Sequence, residues 1–222
     1  MPGKKRGRGE EISHKPTLLP KSLIIFFCEG DTEKLYFPSF KKYKNAKSYN
    51  IEIENQDVKH NDAEGLVRDA TKYLKENPID KSLGDIAYCV FDSDPLSNPN
   101  PKLRTAIDIA RRFKPYPIKI LFSNPCIEVW YYMHFDNPPV TKDADDMKAA
   151  LRKKINNYTE KTEVYGELID KLDVAMERAK ILHNNKSKDY ENVISHECKP
   201  YSNIFEFVEY LEKLVSRNKS GQ

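Results

Sequence analysis

The sequence lacks any apolar run approaching the length of a membrane span, and no secretory hydrophobic segment opens it. A soluble, cytoplasmic protein is therefore expected. It has little cysteine: Cys28, Cys89, Cys126 and Cys198 form no CxxC pair and stand beside no cluster of histidines, which argues against zinc. Cys28 and Cys89 lie inside apolar stretches and read as small hydrophobes with reduced thiols. Nor is there an excess of one charge. Lys+Arg 37 against Asp+Glu 34 leaves a net charge of +3, which permits nucleic-acid binding without demanding it. No internal repeat is present.

What the 222 residues do contain is core material: 39% are hydrophobic, with 10 Phe and 13 Tyr, enough for one sizeable domain. Two stretches organise it, Leu23–Gly30 (LIIFFCEG) and Ile86–Asp94 (IAYCVFDSD). Each is an apolar run, rich in β-branched and aromatic residues, that ends in acid. Such runs read as strands of a sheet covered on both faces. In an open α/β sheet, whatever follows a strand's carboxyl end enters the ligand-binding crevice. Glu29, Asp92 and Asp94 are delivered there, and the two aspartates, one residue apart, share a side of an extended stretch. Three converging carboxylates repel one another unless a cation sits among them, and hard cations such as Mg²⁺ or Mn²⁺ take oxygen ligands.

Taken in order, residues 1–20 are a basic leader expected to lack structure, with Lys4, Lys5, Arg6 and Arg8 between glycines. A helix follows Gly30, capped by Asp31 and turning Leu35, Tyr36 and Phe40 toward the sheet until Pro38 limits it. Tyr49–Glu54 reads as an edge strand, and Asn61 with Glu64 as a capping box for a helix to about Glu76. After the second acidic strand come a proline-rich loop and a helix to about Phe113. Ile118–Phe122 is the next strand, closing with SNPC and the aromatic helix IEVWYYMHF. This alternation gives a mostly parallel, Rossmann-like α/β domain over residues 21–137. From residue 138 to 222 the pattern turns helical (Asp143–Tyr158, Thr162–Leu182, Asn203–Val215), expected as a cap or extension packed on that domain.

Several residues carry more than one reading. Glu33, one helical turn after Glu29, is a second carboxylate for the site or an ion-pair and capping residue. Ser123, Asn124 and Glu128 either cap the helix after SNPC or place Asn124 at substrate and Glu128 at metal. Trp130, Tyr131 and Tyr132 could stack bases but at this density read as core, and His134 as structural. Arg104, Arg111 and Arg112, and Arg152, Lys153 and Lys154, are solvated faces unless one lies near the acidic crevice. There it would draw a phosphate backbone, and the three α-helical arginines are the expected substrate contacts.

FFCEGDTEKLYF, VFDSD and FSNPCIEVWYYMHF, in this order, resemble the RloB family of prokaryotic proteins; KPYSNIFEFVEYL resembles its ending more loosely. The resemblance implies a Toprim-like fold, whose pattern of a Glu after the first strand and a DxD after the third falls on Glu29, Asp92 and Asp94. It implies a Mg²⁺- or Mn²⁺-dependent endonuclease with those three residues catalytic and metal-binding; a second metal would need Glu33 or Glu128 to contribute, and the choice among DNA, RNA and tRNA as substrate stays open. It also implies a place in abortive-infection defence against phage, sometimes beside a partner ATPase; whether the chain forms a homodimer stays open. The alternative is a Toprim-like regulatory subunit of a defence ATPase with little activity of its own. A phosphatase-like enzyme with an aspartyl nucleophile in VFDSD leaves Glu29 without a role.

Overall fold

A computed structural model describes residues 21–45, 47–54, 62–93 and 101–219. The basic leader, Asn61, the loop after Ser93 and, with it, Asp94 lie outside the described residues.

Four parallel strands form the sheet: β1 (Ser22–Cys28), β2 (Tyr49–Ile53), β3 (Ile86–Asp92) and β4 (Lys119–Asn124). A short fifth, β5 (Tyr201–Ser202), joins antiparallel to β4, and the order is β2-β1-β3-β4-β5. The helices are α1 (Asp31–Ser39), α2 (Ala63–Glu76), α3 (Pro101–Arg112), α4 (Glu128–Met133), α5 (Ala144–Arg152), α6 (Tyr165–Leu168), α7 (Leu172–Asp189) and α8 (Phe205–Lys219). The expected mixed α/β class, mostly parallel and flanked by helices, is observed. Among the described residues no helix is long and apolar enough to cross a membrane.

Strand parity divides the core in two. Ile24, Phe26 and Cys28 of β1, Tyr88 and Val90 of β3, and Leu121 of β4 face a layer made by α1, α4, α5, α6, α7 and α8. Ile25 and Phe27, Ala87, Cys89 and Phe91, and Phe122 face α2 and α3. Both faces are covered, which is why the strands are apolar throughout. On the second face, Asp62 caps α2 by accepting from the Gly65 amide at 2.9 Å, and Leu66, Val67, Ala70 and Leu74 form the buried stripe. The cap is one residue after the expected Asn61.

The helical region after residue 138 is more deeply built in than a cap. Phe207 of α8 sets its ring edge-on to Phe26, Phe37, Phe40 and Tyr88 at centroid distances of 5.1–5.9 Å. Asn203 accepts from the Phe122 amide at 2.7 Å and donates to the Ile120 carbonyl at 3.0 Å, stitching the chain to β4 just before α8. The tail thus supplies a strand and a core helix to the one sheet. Trp130 and Tyr131 are buried, Trp130 donating to the Tyr36 hydroxyl at 2.7 Å, so the aromatic helix is core. His134 is buried too, its Nδ1 3.0 Å from the Trp130 carbonyl, the structural position expected for it.

Candidate metal centre at the acidic crevice

The chain leaves β1 toward β2 on one side and leaves β3 toward β4 on the other, so the carboxyl ends of β1 and β3 flank the switch point where open sheets bind ligands. The Glu29 amide continues the ladder there, donating to the Val90 carbonyl at 3.0 Å. A cavity of about 520 Å³ opens at this edge, lined among others by Glu29, Glu33, Asp92, Glu128, Lys148 and Lys161.

Three local rules bring the acids together. Asp92 has the parity of Tyr88 and Val90, so its side chain emerges on the α1/α4 face, where its carboxylate accepts from the Ile127 amide. Glu33 begins a stripe on α1 continued by Tyr36, Phe37 and Phe40, the i, i+3, i+4, i+7 spacing of a helix face turned to the core. Glu33 is only 3% exposed, and its Oε2 has no hydrogen-bond partner. Glu128 opens α4, also buried, and accepts from the Tyr158 hydroxyl at 2.8 Å. Gly30 makes room for this arrangement: a Cβ there would collide with Glu33 Oε2 and lie 3.4 Å from its Cδ.

The electrostatics follow from the crowding. Burial, with repulsion from Glu128 and Glu29, lifts the Glu33 carboxyl from 4.5 to about 7, against a hydrogen bond from its own amide. Burial, then repulsion from Glu33, Glu128 and Glu29, holds Asp92 well above the usual carboxylate range. Burial and like-charge repulsion are the causes of both shifts, and a cleft that holds carboxyls so perturbed is a candidate functional site.

Glu29, Asp92, Glu33 and Glu128 therefore line one cavity, whereas Asp94 lies outside the described residues. Among the described residues, no three His, Cys, Asp or Glu side chains stand close enough to encircle a metal ion. The donor chemistry nevertheless fits a hard divalent cation: the acids offer only oxygen, and one buried oxygen, Glu33 Oε2, is unpartnered.

The expected substrate contacts are placed elsewhere. Asn124 has the parity of Phe122 and points to the α2/α3 side, its amide donating to the carbonyls of Ser195, His196 and Cys198 at 2.9–3.1 Å. It fastens the 195–198 loop rather than lining the cavity. Arg104, Arg111 and Arg112 are exposed on α3, which covers the face opposite α1 and α4, and none lines the cavity. Leu35, expected on the sheet, is 42% exposed, and Glu33 occupies the inward position instead.

Sequence reading missed Lys148, Lys161 and Tyr158, which reach the site from the helical extension by tertiary packing. Ser93, next to Asp92, lies with its Oγ 2.6 Å from His196 Nδ1, a pairing for which the sequence carries no local signal. The buried Glu33 was legible: an acid at the head of a 33, 36, 37, 40 apolar stripe must face the core.

An open, mostly parallel α/β sheet with an acid-lined cavity at its switch point defines the class of protein. The chain belongs to the RloB-like protein family, whose model matches residues 24–211. The match runs from β1 into α8 and so takes in the helical extension. No curated protein and no solved structure matched.

Proposed function

We propose that the cavity hydrolyses phosphodiester bonds in nucleic acid in a manner that requires Mg²⁺ or Mn²⁺. The observation that carries this reading is the convergence of Glu29, Glu33, Asp92 and Glu128 on one cavity, two of them with raised pKa, beside lysines. Asp92, with Glu33 or Glu128 beside it, would hold the cation, which would lend Lewis-acid character to the scissile phosphate. Tyr158 orients the Glu128 carboxylate. Glu29, half-exposed at the mouth, accepts the proton of the attacking water on a carboxylate oxygen. Lys148 and Lys161 offset the negative field that would otherwise repel a phosphate backbone. The likeness to Toprim enzymes and the antiphage setting implied by the family resemblance point the same way.

The test is cleavage of labelled DNA and RNA with Mg²⁺ or Mn²⁺, comparing wild type with Asp92→Asn and Glu33→Gln. Cleavage by wild type alone supports the reading. Binding of metal and nucleic acid with no cleavage by the pure protein, even with a cognate ATPase added, would replace it with that of a regulatory subunit.

A further inference from the structure

Among the described ion pairs, Lys148 has the least exposed cation: its side chain is 19% exposed, while that of its partner Glu160 is 58% exposed. The difference has a structural origin. Helix α5 docks through Met147 and Leu151, both buried, which sets Lys148 into the cavity wall on the side of Glu128. Glu160 rides instead on a turn at the rim. That turn is closed by Thr159 and Thr162, whose backbone and side-chain hydrogen bonds measure 2.8–3.1 Å. The Thr32 hydroxyl latches it to α1 by donating to the Glu160 carbonyl at 3.3 Å. Burial alone would lower the Lys148 ammonium, but Glu160 and Glu128 outweigh it and hold it raised, so the lysine stays charged. Lys161, exposed and adjacent, lines the same rim.

A half-buried cation is thus satisfied on the solvent side by an exposed carboxylate, at the mouth of a cavity whose interior is acid. Glu160 lines the same cavity as the carboxylates. We propose that Lys148, with Lys161, is the subsite for the substrate's phosphate backbone and that Glu160 is its internal stand-in, displaced when substrate binds. This rests on the phosphodiester reading above. The ligand chemistry is a phosphodiester polyanion, and the arms of the test separate DNA from RNA.

The experiment measures anisotropy of fluorescein-labelled single-stranded DNA and RNA oligonucleotides with the full-length protein in Ca²⁺, over a series of salt concentrations. Glu160→Gln is expected to tighten binding about threefold to fivefold, the value of a half-exposed ion pair. Lys148→Met should weaken it and reduce the slope of log K against log salt by about 1, as loss of one phosphate contact does. Lys148→Arg should retain binding, and this variant with Glu160→Gln decides the matter if Lys148→Met fails to fold. Unchanged or weaker binding by Glu160→Gln would overturn the proposal, as would an unaltered salt slope in Lys148→Met or no binding by any variant. Binding that tightens in Glu160→Gln without cleavage in Mn²⁺ would overturn hydrolysis and keep the subsite. Cleavage with binding indifferent to Glu160 would do the reverse.

Discussion

Glu33→Gln removes a buried charge while keeping the side chain's shape and an oxygen to accept from its own amide, so its effect on stability can be worked out with its sign. The Glu33 carboxyl is raised from 4.5 to about 7 on folding. Between those values the native state holds a proton that the unfolded chain has released, so stability falls as pH rises through that window. Above pH 7 the full penalty is present, roughly 3 kcal/mol at about 1.4 kcal/mol per pH unit. The glutamine escapes it. In EDTA at pH 8 the variant should therefore melt about 6–12 °C above wild type, given roughly 2–4 °C per kcal/mol in a chain of this size. At pH 5 the gain should shrink to roughly 1 kcal/mol, because wild-type Glu33 is then protonated in the native state. Asp92 also loses a repelling neighbour in the variant, which adds to the gain at high pH. Thermal melting followed by circular dichroism at pH 5 and 8 is sufficient. Added Mn²⁺ should stabilise wild type at pH 8 and the variant much less, since a ligand of the folded state alone raises its stability. A variant less stable than wild type at pH 8, or a difference that ignores pH, would refute the reasoning.

Other substitutions probe the same architecture. Gly30→Ala drives a methyl group into Glu33 Oε2; the Mn²⁺-induced rise in melting temperature should be lost, as thermal melting with and without metal will show. Tyr158→Phe removes the hydrogen bond to Glu128, at a cost of about 1.5–3 kcal/mol for a bond to a charged group in urea titrations. His134, buried and held neutral with its pKa lowered to about 4 by burial, contributes stability that is full above 6.5 and lost as pH falls toward 4. His134→Asn keeps a donor for the Trp130 carbonyl and removes this loss, so its melting temperature should gain on that of wild type as pH falls from 7 to 5. Phe207→Ala opens a hole among Phe26, Phe37, Phe40 and Tyr88 and should cost about 3–5 kcal/mol in urea unfolding. A loss under 1 kcal/mol would mean that the tail is a detachable cap.

What the sequence made legible and what it hid have separate physical causes. Strands β1 and β3 were readable because a parallel strand covered on both faces must be apolar at every position, so its acidic end stands out. Asn124 was misjudged because the same rule hides parity: in a strand buried on both faces, no alternation of polarity tells which way a residue points. Counting from Phe122, which faces α2 and α3, does tell, and sends Asn124 away from the acids. Helix α1 was rotated for the opposite reason. A stripe drawn only from apolar residues chose Leu35 and passed over Glu33, yet 33, 36, 37 and 40 keep the helical period better than 35, 36 and 40. A charged residue at a core position is the mismatch between local pattern and global fold that functional sites produce.

Lys148 and β5 were hidden more deeply, since neither has a local signal. Lys148 shares α5 with the exposed Arg152, and Lys153, just after the helix, is exposed as well; only docking through Met147 and Leu151 selects Lys148 for the cavity. Strand β5 is two residues long, shorter than any periodicity can register, and exists because the β4 edge offers it hydrogen bonds. Its neighbour Asn203 ties the tail to the backbone of Ile120 and Phe122, two residues from Asn124, which ties down the 195–198 loop. The loop in turn reaches Ser93 through His196, at the end of the strand that carries Asp92. The region that reads as an appendage therefore braces the carboxyl ends of β3 and β4, while α5 and the turn after it supply the lysines at the cavity's rim. An acidic cavity built by the sheet alone would repel a polyanion. The extension brings it the positive charge that such a ligand requires.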